Sequence, residues 1–294
     1  MTDITGDTRN TMRQLAGMCR ILMLSCLVLC GTAYAGDAEQ RPVPIFDAHI
    51  HYSADVWEAL PPARALQLLT EASIIRALVS ATPAEGAERL YRLDPERVIP
   101  FLRPYAGRSS RYTWFRDESV PAYVRKHLAR IPYRGIGEFH VFGDDAGTAV
   151  VGEVIGLARE HRLALHAHTN QAGMQVILEQ APDIPVIWAH AGFNVPVVLL
   201  NELLEKHPQL YLELSFREGI TREGQLTPEW EALFVAHPRR CLVGMDTYTP
   251  GRWAELTNLA ASARRWLRQL PPDIADGIAH GNAERLFPAP ARGE

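Results

Sequence analysis

The sequence predicts an α/β protein folded as a (β/α)8 TIM barrel. Three observations carry this expectation. Short apolar runs alternate with helical patterns eight times, which implies parallel strands joined by crossover helices. The segment that holds them is close to the roughly 250 residues of a closed barrel. The rival, an open doubly wound sheet, carries a glycine-rich phosphate loop after its first strand; here histidines stand in that place.

The chain has 294 residues, 47% hydrophobic and 22% charged, an ordinary globular composition. Its start reads separately. Arg9, Arg13 and Arg20 precede an apolar run over 21–30, and Ala33-Tyr34-Ala35 is a small-x-small cleavage site. Residues 1–35 therefore read as a secretory signal peptide and 36–294 as a single barrel domain, with Met12 or Met18 as alternative starts. The run is too short for a mature transmembrane helix, which needs roughly 20 residues. Lipidation at Cys30 is disfavoured by the bulky Leu29 before it. The expectation is an exported, periplasmic protein.

Cleavage after Ala35 leaves 259 residues with Cys241 as their one cysteine. No internal disulfide is then possible, and the core alone must hold the domain together. The formal charge is −4, and −5 without the leader, with no Lys/Arg-rich tract. That argues against a nucleic-acid partner and for a small-molecule substrate.

The elements follow in order. Residues 45–51 are a buried strand, and side chains two apart on a strand share a face, so His49 and His51 point together. A helix over 63–72 and a strand over 74–79 come next, then a helix over 84–93 and a strand over 98–102. The polar loop 106–117 contains Tyr112, Trp114 and Phe115 and reads equally as a lid or as an aromatic loop packed on the rim. Helices over 120–129, 148–161, 172–180, 196–206 and 228–236 lead into strands over 134–139, 163–166, 186–190, 210–214 and 241–245. A long amphipathic helix over 252–270 closes the pattern.

Active sites of such barrels lie at the C-terminal strand ends, and the polar residues gather there. His49 and His51 end the first strand, Glu138 and His140 the fourth, His166 and His168 the fifth, His190 the sixth and Asp246 the eighth. A lone His-x-His is weak evidence, and Asp246 alone reads as a helix cap. The recurrence of polar residues at five of eight equivalent positions, most of them histidine, which is a poor cap, argues for a metal site. Imidazoles and carboxylates are the usual ligands of zinc and similar divalent ions. Such an ion makes hydroxide available near neutral pH, and Asp246 stands where a base would take the proton.

The first-strand Asp47-x-His49-x-His51, His166, Ile187-Trp188-Ala189-His190-Ala191-Gly192 and Gly244-Met245-Asp246 resemble the amidohydrolase superfamily. The closing Gly281-Asn282-Ala283-Glu284-Arg285-Leu286-Phe287 resembles its amidohydrolase-2 branch, which holds hydrolases, lactonases and some decarboxylases. The resemblance runs from Ile45 to Phe287 and implies a barrel with one or two divalent ions, zinc most often. It makes His49, His51 and Asp246 metal ligands, Asp246 also the general base, and His166 and His190 ligands in a two-metal site; in a one-metal site His190 would instead polarise the substrate carbonyl. Glu138 resembles the strand-four glutamate of TatD-type members, which bridges two metals; the following Phe139-His140 departs from them.

Either His166 or His168 is the fifth-strand ligand, and the run before His166 favours it. His140, His168 and Arg217 then become candidate substrate contacts. Arg103, after the third strand, is a second candidate clamp, and each arginine reads equally as a salt-bridged rim residue, the commoner case. The function expected is an exported hydrolase acting on an amide, ester, lactone or related bond. The alternatives are a non-oxidative decarboxylase and a non-catalytic ligand-binding barrel.

Overall fold

The computed structural model describes residues 42–289. The signal segment, with Ala35 and Cys30, lies outside the described residues. Eight parallel strands form the barrel: β1 (Ile45–His51), β2 (Ile74–Ala81), β3 (Val98–Leu102), β4 (Gly135–His140), β5 (Ala164–His168), β6 (Val186–Trp188), β7 (Leu210–Glu213) and β10 (Cys241–Leu242). A small hairpin, β8 (Thr221–Arg222) with β9 (Gln225–Leu226), lies between the last two. Each barrel strand pairs with its sequence neighbour. The ring closes where Ala48 N donates to Val243 O (2.8 Å), Asp246 N to His49 O (2.7 Å) and His51 N to Thr247 O (2.9 Å).

The crossovers are α1 (Pro62–Glu71), α2 (Glu85–Leu93), α3 (Val120–Leu128), α4 (Ala149–Glu160), α5 (Gln171–Gln180), α6 (Val197–Lys206) and α7 (Pro228–Ala236). Proline opens α1 and α7, where the missing N–H has no intrahelical partner to lose. The final amphipathic segment is two helices rather than one, α8 (Pro250–Ala254) and α9 (Leu256–Leu267). Pro250 and the Thr249 side chain, which accepts from Arg252 N, start it earlier than its hydropathy suggests. Two short helices, α10 (Pro272–Asp276) and α11 (Asn282–Leu286), end the described chain.

Two apolar layers hold this together. One lies between strands and helices and includes Ile50, Val79, Leu165, Trp188 and Leu212. The other fills the barrel itself, with Phe46, Leu78, Phe101, Ile187 and Leu242. Phe287 packs into the inner layer against Phe46 and Phe101, at ring separations of 6.2 and 5.5 Å. The closing Gly281-to-Phe287 motif is thus the plug of the barrel floor. Asn282 fastens it by donating to Pro238 O (3.1 Å) and Cys241 O (2.7 Å).

Irregular register aims the first-strand residues. Phe46 and Ala48 pack inside the barrel while Ile50 packs outside it. The register shift between Asp47 and Ile50 makes that switch. Bulges of this kind re-aim side chains beside active sites. β6 is shorter than the sequence pattern suggests. The chain turns at His190 (φ 57°) and Ala191 (φ 44°) instead of continuing as strand.

Candidate active site

Asp47 locks the start of the site. Its Oδ1 accepts from His49 N and Met245 N, both at 3.0 Å, and so stitches the β1 bulge to the chain after β10. Burial pushes its carboxyl up to about 8, against these two hydrogen bonds. Asp47 is therefore a largely uncharged strut rather than a charge-bearing group of the site.

His49 and His51 are each held by their Nδ1 atoms. His49 Nδ1 lies 2.7 Å from Glu213 Oε2, and His51 Nδ1 lies 2.8 Å from Ser80 Oγ. A carboxylate can only accept from an imidazole, so Glu213 fixes the proton of a neutral His49 on Nδ1 and leaves Nε2 a bare lone pair. The two Nε2 atoms face one another at 3.0 Å. Asp246 Oδ1 stands 3.5 Å from the first and 3.1 Å from the second. It is buried and has no hydrogen-bond partner.

Glu138 and Arg103 form the next side. Arg103 donates through Nη2 to Glu138 Oε2 (2.8 Å) and through Nη1 to Thr82 Oγ1 (3.2 Å), with Nη2 also 3.1 Å from His51 Nε2. Glu138 Oε1 takes His168 Nδ1 at 2.8 Å and faces His49 Nε2 and His190 Nε2, each at 3.6 Å. His190 Nδ1 meets the Ser215 carbonyl at 3.0 Å, so it carries the proton there and turns its Nε2 towards Asp246 Oδ2, 4.0 Å away.

Two glycines make this packing possible. A Cβ on Gly244 would lie 2.0 Å from Glu213 Oε1 and 2.9 Å from His49 Cβ. Gly137, at φ +136°, would put a Cβ 2.2 Å from the His166 carbonyl.

The electrostatics match an acidic pocket that needs a cation. Burial alone would pull His49 down, but the carboxylates of Asp246, Glu213 and Glu138 outweigh it and hold the group well above 6.5. Burial would raise Glu213 and Asp246. His49 brings Glu213 down to about 2, and His49 with His51 lowers Asp246 further. Once His49 gives up its proton, three ionised carboxylates, Glu138, Glu213 and Asp246, face one guanidinium, Arg103, and the deficit of two positive charges is that of one divalent ion.

The structure brings together most of the residues expected from sequence: His49, His51, Glu138, His168, His190 and Asp246. His166 lies deeper. It is fully buried, both ring nitrogens lack partners, and its ring sits 4.5 Å from that of His49 and 6.4 Å from that of Phe101. With His49 and Glu213 it forms one of the groups that geometry would allow to hold an ion. Burial pulls it well below the usual imidazole range. His140 stacks on His168 at 4.1 Å and is pushed down to about 2 by burial, despite nearby Glu138. Arg217 does not line the cavity. It donates to Val195 O (2.7 Å) and lies over the Trp230 ring at 5.1 Å.

Sequence reasoning missed Glu213, Ser80 and Ser215; of its two readings of Arg103, a clamp for substrate or a salt-bridged rim arginine, the structure shows the ion pair, with Glu138. Glu213 had a signal: a lone acid inside the apolar run Leu210-Tyr211-Leu212-Glu213-Leu214. Loop 106–117 is packed on the rim through its aromatic residues, as one of the two readings had it. Trp114 is fully buried and donates to His140 O at 2.8 Å, and Phe115 is 5% exposed. Tyr112, by contrast, stands over the cavity.

That cavity, of about 440 Å³, opens above Glu138, His190 and Asp246. Of the eight non-glycine residues with positive φ among the described residues, five fall in the segments that follow β6, β7 and β10: His190, Ala191, Phe193, Phe216 and Asp246. Strained backbone of this kind concentrates at functional sites.

Comparison with known proteins bears on the fold and the family. A family model described as amidohydrolase matches residues 46–289. No curated protein matches the sequence. Among solved structures, a zinc-bound amidohydrolase from Burkholderia multivorans superimposes with a TM-score of 0.57 at 14% identity, covering 84% of this chain and 100% of that one. A Pseudomonas putida protein assigned as a 2-pyrone-4,6-dicarboxylic acid hydrolase gives 0.56 at 14% identity, covering 83% and 97%. A 2,6-dihydroxybenzoate decarboxylase complexed with 2,6-dihydroxybenzoate gives 0.51 at 13% identity, covering 83% and 99%.

Proposed function

The chain belongs to the amidohydrolase family, and from that premise we propose that it is a metal-dependent hydrolase of small molecules. The observation that carries this reading is the convergence of nitrogen and oxygen atoms at one point. The His49 and His51 Nε2 atoms lie 3.0 Å apart with an unpartnered buried carboxylate oxygen beside them, and with both imidazoles neutral and their protons on Nδ1 the two lone pairs repel unless a cation lies among them. The residues therefore fit a divalent ion of the zinc type. His49, His51 and Asp246 would hold it, with His166 or His168 adding the ligand from β5. The charge deficit supports one ion. Arg103 already neutralises Glu138, which disfavours Glu138 as a bridge between two.

When bound, such an ion lowers the pKa of a water molecule and polarises a substrate oxygen. The chain's own groups do the rest. Glu213 and Ser80 fix the two imidazoles. Asp246 keeps Oδ1 towards their nitrogens and turns Oδ2 to His190, so a proton taken from water has a path to the His190 Nε2 lone pair. Arg103 holds Glu138 in place.

The test is hydrolysis of a panel of lactones, esters and amides in ¹⁸O-water by zinc-loaded protein. Incorporation of ¹⁸O that is lost on chelation and in Asp246→Asn supports the reading. Release of carbon dioxide without ¹⁸O uptake would replace it with the decarboxylase reading. The protein is proposed to act after export, and intact-mass analysis of the periplasmic form should give an N-terminus at Gly36.

A further inference from the structure

The geometry points to a substrate that is a small planar anion, with Arg111 binding its charged group and Phe193 and Phe216 gripping its ring; this rests on the hydrolase reading above. The first observation is the state of the two cavity arginines. Arg103 is committed to Glu138, Thr82 and His51. Arg111 also lines the cavity, with its Nε buried and unpartnered. Among the described residues no hydrogen bond or ion pair engages its guanidinium, which lies over the Tyr112 ring at 4.7 Å. A planar fork of donors left free beside a reaction centre is suited to a carboxylate.

The second observation is independent of charge. Five aromatic rings are exposed among the described residues, Tyr112, Phe142, Phe193, Phe216 and Tyr248. Four of them line this cavity, and Phe142 packs on the cavity residue His168 at 5.9 Å. Apolar exposure gathered at one place marks a binding surface.

The third is strain. Phe193 (φ 56°) and Phe216 (φ 51°) both sit in the left-handed region that a bulky residue rarely adopts. Each is then braced. Phe193 packs on His190 at 4.3 Å, and Phe216 lies 3.8 Å from the Arg252 guanidinium. The fold holds two phenyl rings in unfavourable backbone so that they face the mouth. An aliphatic anion would use the guanidinium but not the ring faces, and a cation the ring faces but not the guanidinium; a planar anion uses both.

Calorimetric titration with benzoate and its neutral isostere benzamide tests this, on zinc-loaded and on chelator-treated protein. Benzoate should bind about tenfold or more tighter than benzamide in both states, since one charged hydrogen-bonding pair supplies that factor. Arg111→Gln should bring benzoate down to the benzamide level without changing benzamide binding or metal content. Arg111→Lys should keep part of the preference, and Phe216→Leu should weaken both ligands alike.

Equal affinities in the wild type, a preference that survives Arg111→Gln, or a preference lost on chelation would each overturn the proposal, the last by placing the carboxylate on the metal. Absence of saturable binding of either compound at millimolar concentration would overturn it too. An Arg111-dependent preference in a protein that never takes up metal would leave this inference standing and remove the hydrolase reading instead.

Discussion

Glu213→Gln perturbs the site without touching any proposed metal ligand. All of Glu213's hydrogen bonds are received. Oε2 accepts from His49 Nδ1 (2.7 Å), Ser215 Oγ (2.9 Å) and His190 N (3.1 Å), and Oε1 accepts from Ser215 N. An amide has one accepting oxygen where the carboxylate has two, and cannot meet all of this demand. With its oxygen at the Oε2 place, its NH2 confronts the Ser215 N–H, and one buried donor pair is left unsatisfied at about 1–3 kcal/mol. With its nitrogen there, His49 must accept at Nδ1 and carry its proton on Nε2, where it no longer ligates. Loss of such an orienting carboxylate typically weakens metal binding about 10- to 100-fold, or about 1.4–2.8 kcal/mol. Competition for zinc against a chromophoric chelator measures this directly, and thermal melts of the metal-free proteins separate the stability part. Zinc affinity within about twofold of wild type, in a folded variant, would refute the assignment of Glu213 as the group that sets the His49 tautomer.

Three further outcomes follow from the same geometry. In metal-free protein His49 lies well above 6.5, so its protonated form stabilises the fold fully below that pH and is lost as pH rises past it; Asp47, pushed up to about 8, acts in the same direction between 3.8 and 8. The melting temperature of chelated protein should therefore fall between about pH 6 and pH 9, and less so with zinc bound; a rise would contradict the charge reading. Asp47→Asn keeps an acceptor for His49 N and Met245 N and should melt within about 4 °C of wild type at pH 7, whereas Asp47→Ala strands both donors and should lose about 2 kcal/mol or more in denaturant titration. Gly244→Ala forces a Cβ onto Glu213 and should cost about 1–3 kcal/mol of stability while reducing zinc content disproportionately, as elemental analysis would show.

The barrel could be read from the sequence because parallel strands buried on both faces are continuous apolar runs, and eight of these recur between helical patterns. The strand-end histidines stood out because imidazole has no place in such runs without a task. What escaped the sequence depended on side-chain partners rather than on residue type. Glu213 follows Leu212 in β7 and reads as the strand's solvent edge until the fold turns it inward onto His49. Arg103 read equally as a clamp for substrate or as a salt-bridged arginine, and only the fold decides it by giving the fork to Glu138; the cavity cation without a hydrogen bond or ion pair among the described residues is Arg111, inside a loop whose aromatic residues alone drew notice. The choice between His166 and His168 depends on depth along β5. Both face inward, and only the fold puts one in the cavity and the other beneath His49. Arg217 follows Phe216, whose positive φ turns the chain so that the ring meets the cavity and the guanidinium meets Trp230.

The central claim is the metal centre, and metal content per chain tests it most directly. Elemental mass spectrometry of protein purified without chelator should give about one equivalent of a divalent ion, the charge of one such ion being what the site lacks. The His49→Ala/His51→Ala variant, run alongside, should have lost it; His166→Ala and His168→Ala beside them identify the β5 ligand. No metal in the wild type after reloading with zinc or manganese, or equal metal in the double variant, would contradict the account.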